Sequence, residues 1–213
     1  MYDFISNPRE IEQKSFKIIH STMKNTNLPP LKLSIMQRVI HTTTDFIYED
    51  ILLFKDNVEN ILLDSFLNGC TIITDTQMIK AGISKKLTEK LGIKIECLVG
   101  TEEAYEISKR EGITRSMAAV DLALEMQGDK VFAVGNAPTA LFRIIDKYKN
   151  DQLNTVKGVI GVPVGFVGAA ESKDALWEQH IPSIITKGRK GGSTITVAII
   201  NAILREAVKH IGE

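Results

Sequence analysis

The chain has 213 residues, 44% of them hydrophobic, and its 26 Lys plus Arg balance 26 Asp plus Glu to a formal net charge of zero. That size and apolar fraction suit a globular chain with a sizeable core and exclude a disordered one. The charge balance lacks the basic excess of a nucleic-acid binder, and no apolar run reaches the length of a membrane span.

The opening MYDFISNPREIEQK is acidic and polar, unlike a signal or transit peptide. Asn7-Pro8-Arg9-Glu10 predicts a helix over 7–25, with Asn7 as its cap, Pro8 in its first turn and Ile11, Ile18, Ile19 and Met23 facing inward. Leu28-Pro29-Pro30 ends that unit. A second helix is expected over 32–41, burying Leu33, Met36, Val39 and Ile40, and a third over 57–68, stopping at Gly69. Beyond Gly69, apolar runs of strand length at 71–74, 93–99, 130–134, 158–162 and 182–187 alternate with helical segments at 84–91, 101–110, 115–127, 136–149, 171–179 and 192–209. Such alternation marks βαβ units. The expected fold is a single α/β domain over 1–213, a mostly parallel sheet of about five strands with helices on both faces, preceded by N-terminal helices. Cys70 and Cys97 sit beside strand-like segments and are expected to be buried free thiols, as suits a cytoplasmic protein.

Each expected strand is followed by an unusual turn: TDTQM at 74–78, VGTEE at 99–103, GNAPTALF at 135–142, GVPVGFVGAAES at 161–172 and KGRKGGS at 187–193. In a parallel sheet these turns collect outside the carboxyl ends of the strands, where ligands bind, and five of them suggest a large ligand. Gly161, Gly165 and Gly168 are spaced G-x-x-x-G-x-x-G, which fits neither a dinucleotide loop nor a P-loop. Each glycine alone needs only a tight turn. The segment as a whole stays apolar through Pro163, Phe166 and Ala169-Ala170, so it suits a flat organic ligand, and the helix start at Glu171-Ser172 suits an anion.

Among four histidines, His20 and His210 lie in amphipathic helices and His180 beside a proline. No H-x-x-x-H or C-x-x-C pair announces a metal site. His41 closes the second helix in QRVIHTTTD, with Arg38 on the same face. Two roles fit it: a C-terminal partner of the helix dipole, or a general acid that the dipole helps keep protonated. Arg115 at a helix N-terminus is either an ordinary surface residue or a cation awaiting an anion. Lys187, Arg189 and Lys190 are either a solvated charge run or a cluster that attracts a polycarboxylate. With no nucleophile elbow or paired acids, proton transfer on a bound ligand is the chemistry that remains.

KSFKIIH (14–20), RVIHTT (38–43), TDTQM (74–78), TRSMAA (114–119), GNAPTALFRI (135–144), GVPVGFVGAAESK (161–173) and GRKGGS (188–193) together resemble the precorrin-8X methylmutases of cobalamin biosynthesis, from about residue 3 to about 205. The resemblance implies a homodimeric isomerase with no separate organic cofactor, cobalt entering only as part of the substrate. It implies migration of a methyl group from C-11 to C-12 on ring C of a corrin precursor, precorrin-8X to hydrogenobyrinate or cobalt-precorrin-8 to cobyrinate. It puts the proton donor and acceptor on His41 and substrate contacts on Ser15 and Arg38, with Gln77, Arg115, Asn136 and Ser172 at motif positions along the pocket. A corrinoid carrier without turnover is the alternative. A methyltransferase with an external donor would need the nucleotide-type loop that is missing here.

Overall fold

The computed structural model describes residues 5–212; residues 1–4, the start of the acidic and polar opening stretch, and residue 213 lie outside it. The chain begins with α1 (Pro8–Thr22), α2 (Pro30–Thr43), the single turn α3 (Tyr48–Ile51), β1 (Leu52–Lys55) and α4 (Val58–Leu67). There follow β2 (Thr71–Thr74), α5 (Gln77–Gly82), α6 (Lys85–Lys90), β3 (Lys94–Glu96), a 3-10 turn (Leu98–Gly100), α7 (Glu102–Glu111) and α8 (Arg115–Glu125). The remainder is β4 (Lys130–Val134), α9 (Pro138–Lys149), β5 (Val156–Gly161), α10 (Ala169–Glu178), β6 (Ser183–Thr186) and α11 (Ser193–His210).

Among the described residues the strands form one six-stranded sheet in the order β1-β6-β5-β4-β2-β3. The five expected strands are there and run parallel to one another. The sixth, β1, was not expected; it lies antiparallel on the edge, pairing Leu52 with Thr186 and Lys55 with Ser183. Alternation along the strands splits the core in two. Ile72, Val131, Ala133, Ile160 and Ile184 face a layer that includes α2, α4 and α11. Ile73, Phe132, Val134, Val159 and Ile185 face α8, α9 and α10. Helices therefore cover both faces.

Local chemistry sets most helix starts. The Asn7 carboxamide accepts from the Arg9 N–H at 3.0 Å. Thr76, Thr101 and Thr114 cap α5, α7 and α8 in the same way, each accepting at 3.2 Å from the third residue on. Several expectations need correction. Pro30 does not end a unit; it opens α2, where its missing N–H costs nothing. The strand expected over 93–99 is confined to 94–96, and the chain then turns into 3-10 structure. Gln77 and Met78, expected as the end of the turn at 74–78, instead open the short helix α5. Of the four apolar residues expected to face inward, Ile19 on α1 and Met23 just after it are buried, whereas Ile11 and Ile18 are 45% and 55% exposed. Cys70 and Cys97 are buried free thiols, as expected.

Candidate active site

β2, β4, β5 and β6 deliver their following loops to one edge of the sheet, and the strand order reverses between β2 and β4. A reversal of this kind leaves a crevice beyond the strand ends. There the Asp75 carboxylate accepts from the backbone N–H groups of Gly135 (3.0 Å), Asn136 (2.8 Å) and Ala137 (2.7 Å). Burial pushes the Asp75 carboxyl above its ordinary value, and the three hydrogen bonds pull against that rise. The loop after β5 is tied to the loop after β6: Gly192 N–H donates to the Val162 carbonyl at 2.8 Å and Gly165 N–H to the Arg189 carbonyl at 3.2 Å. Gly191 is required for this approach, because its φ is +157° and a Cβ would stand 2.1 Å from the Val162 oxygen.

The tip of the loop after β5 is apolar and open, with Phe166 84% and Val167 89% exposed. The Arg189 guanidinium lies 5.8 Å from the Phe166 ring centroid. Lys190, expected in a cluster that attracts carboxylates, is instead ion-paired with Asp45 just beyond α2, and it holds the Asp45 carboxyl below its usual value. Beneath the same loop, fully buried Lys173 donates from Nζ to Thr186 Oγ1 (3.2 Å) and to the Lys190 carbonyl (2.8 Å). Burial pushes its ammonium down to about 8.

The second half of the site is built by α1 and α2. His41 stands exposed in the last turn of α2, which Thr44 closes in the left-handed region at φ +54°. Its imidazole is stacked on Phe16 of α1, with ring centroids 5.1 Å apart and planes 6° from parallel. A cleft of about 360 Å³ runs beside it, lined by Ser15, Ile18, Ile19, Ile40 and Phe46. The exposure of Ile18 thus gives this cleft an apolar wall. The Ser15 hydroxyl donates to the Ile11 carbonyl at 2.8 Å and can still accept from a ligand. Arg38, one turn before His41, faces a second cleft of about 290 Å³ that reaches Met78, Gly82, Ser193, Asn201 and Arg205. Its guanidinium donates to Glu12 at 2.7 Å and lies 4.5 Å from the Phe16 centroid. The hydrogen bond from Arg38 holds the Glu12 carboxyl below its ordinary value, aided by the more distant charges of Arg205 and His41.

Ser15, Arg38 and His41 are thus brought together. Gln77 is exposed at the first turn of α5, beside Met78 on the second cleft. Arg115 is exposed at the first position of α8, and Thr114 ties that end to α9 through Thr139 at 3.0 Å. Asn136 is exposed on the turn held by Asp75. Ser172 is fully buried, its hydroxyl donating to the Ala169 carbonyl at 3.2 Å. Arg115 on α8, Asn136 on the turn before α9 and Ser172 on α10 line neither of the two clefts beside His41 and Arg38. Sequence reasoning passed over Glu12, Phe16, Asp75 and Lys173. Phe16, Asp75 and Lys173 lay inside motifs already singled out, but nothing in the sequence showed that Asp75 has partners 60 to 62 positions away. Among the described residues no three His, Cys, Asp or Glu side chains gather as metal ligands, and no helix is long and apolar enough to cross a membrane.

Comparison with known proteins agrees with this arrangement. Residues 10–206 match the family described as Precorrin-8X methylmutase. A cobalt-precorrin-8 methylmutase of Salmonella typhimurium is 45% identical over 94% of this chain and 96% of its own length. One from Methanocaldococcus jannaschii is 38% identical over 92% and 93%. The crystal structure of a precorrin-8x methyl mutase from Thermus thermophilus superposes with a TM-score of 0.86 at 32% identity, covering 95% of this chain and 99% of that one. Likeness of this extent in both sequence and fold means that the chain belongs to the precorrin-8X methylmutase family.

Proposed function

We propose that this chain is an isomerase of cobalamin biosynthesis that moves a methyl group from C-11 to C-12 on ring C of a corrin precursor. It converts precorrin-8X to hydrogenobyrinate, or cobalt-precorrin-8 to cobyrinate. The observation that carries this reading is the family match over residues 10–206. The site geometry is compatible with it. A flat macrocycle edged with carboxylates finds apolar walls at Ile18, Phe46 and Phe166, and cations at Arg38, Arg189 and Arg205.

In this reading His41 gives a proton to a ring nitrogen, which draws electron density from the conjugated system and eases the sigmatropic shift of the methyl group. His41 then takes the proton back, so the reaction is balanced with no external methyl donor and no organic cofactor. Cobalt, where present, belongs to the substrate. Ser15 and Arg38 contact the substrate, and Gln77, Arg115 and Asn136 line the outer pocket. Ser172 acts through the helix start it helps to shape. The working form is a cytoplasmic homodimer that binds neither nucleic acid nor membrane. The carrier alternative has no observation in its favour.

The test is the absorbance of the purified protein mixed with precorrin-8x and no methyl donor. Conversion to the product chromophore is expected, and a static bound spectrum would sink the reading. His41→Ala is expected to abolish conversion while corrinoid binding persists, because it removes the acid and little contact area.

A further inference from the structure

A histidine that moves a proton is ordinarily oriented by a hydrogen bond to its second ring nitrogen, which sets tautomer and plane. Among the described residues His41 has no such partner. Among the described residues the imidazole hydrogen bonds belong to His20, with Gln37, and to His210, with the Glu206 carbonyl. What holds the His41 ring is a face: Phe16 lies parallel to it within 6°, at 5.1 Å between centroids.

That face is itself held. Phe16 is half-buried on α1, and the Arg38 guanidinium packs over its ring at 4.5 Å. Glu12, one turn before Phe16, anchors the guanidinium at 2.7 Å. Glu12 and Phe16 are four residues apart on α1, and Arg38 and His41 three apart on α2, so each pair shares one helix face. The four side chains form two rungs between the helices, one an ion pair and one an aromatic stack. An aromatic face restrains the tilt of the imidazole and leaves its edge free. Both nitrogens therefore stay available to give and retake a proton, whereas a hydrogen-bonded orienter would occupy one.

We propose that Phe16 is the positioning residue for His41, its ring fixing the plane of the imidazole at the mouth of the cleft in place of a hydrogen-bonded partner. The proposal rests on the reading of His41 as the acid and base. Leucine at position 16 keeps apolar bulk between α1 and α2 but removes the flat face, so the imidazole samples other rotamers. Tyrosine keeps the face.

The experiment compares wild type, Phe16→Leu, Phe16→Tyr and His41→Ala, using precorrin-8x conversion and carbon–proton correlation spectra of the histidine rings. Phe16→Leu is expected to lower kcat about 10- to 100-fold, the scale of a misplaced catalytic group, with KM little changed and thermal midpoint close to wild type. Phe16→Tyr should restore most of kcat. In the free protein the His41 ring protons should resonate upfield through the Phe16 ring current and move downfield in Phe16→Leu. A Phe16→Leu enzyme with wild-type kcat, a Phe16→Tyr enzyme no better than Phe16→Leu, or His41 ring shifts unmoved by Phe16→Leu overturns the proposal. Conversion surviving in His41→Ala overturns the acid–base reading instead, and the ring-current shift of His41 in the wild type would then remain.

Discussion

Lys173 places a full positive charge in the interior beneath the ligand edge. Two oxygens receive its hydrogen bonds, and among the described residues no carboxylate stands within ion-pair distance. Burying an ammonium is costly, so desolvation pushes the group down from 10.5 to about 8, against the opposing charge of Asp174. The unfolded chain then binds more protons than the folded one between those values. Folding stability therefore gains from this residue as pH rises from about 8 toward 10.5, by up to about 3 kcal/mol. Cys70 acts oppositely, because burial raises its thiol from 9.0 to about 12 and stability falls as the unfolded thiol ionises. The two are separated by subtraction. The melting temperature of wild type is expected to rise relative to Lys173→Met between pH 7 and pH 10. A difference that stays flat would mean that Lys173 does not titrate in that window.

The elements around the site are joined by contacts that no local pattern announces. α9 has no side-chain cap of its own, since Ala137 precedes Pro138. The turn leading into it, residues 135–137, is held instead by Asp75, just past the end of β2. Asp75→Ala would leave three backbone donors unpartnered and is expected to cost about 2–3 kcal/mol. Asp75→Asn, which keeps an acceptor, should cost less. Urea unfolding of the three proteins checks this, and equal midpoints would show that the turn at 135–137 is held by other means. The same logic explains which elements were legible. Long amphipathic or buried stretches such as α11 and β4 follow from residue periodicity. β1 has only four residues and one buried position, so it becomes a strand only by pairing with β6. α5 depends on the Thr76 cap and is too short to show a helical period.

At the scale of the whole molecule the apolar tip at Phe166 and Val167 remains uncovered in one chain. The homodimer proposed above predicts a sedimentation mass of twice 23.6 kDa, and a mass of 23.6 kDa across the working concentration range would remove it. The two halves of the site also meet only at this scale. Lys190 reaches Asp45 and so connects the loop after β6 to the end of α2, and Thr76 meets Ser193 at 3.1 Å between the start of α5 and the start of α11.

The amino-acid sequence by itself determined the α/β class, the five parallel strands, the helices on both faces and the family to which the chain belongs. Each of these depends on the period of apolar residues or on motifs contiguous in the chain. It also singled out His41, Ser15 and Arg38, because two short motifs contain them. Only the tertiary structure decided that Phe16 stacks on His41, that Glu12 holds Arg38, that Asp75 holds the turn at 135–137 and that Ser172 is turned inward. It likewise decided that Lys190 serves the fold through Asp45. Apart from Ser172, whose burial comes from packing around α10, these are side-chain contacts between separate helices and loops, and their geometry exists only once the sheet has set where each loop ends.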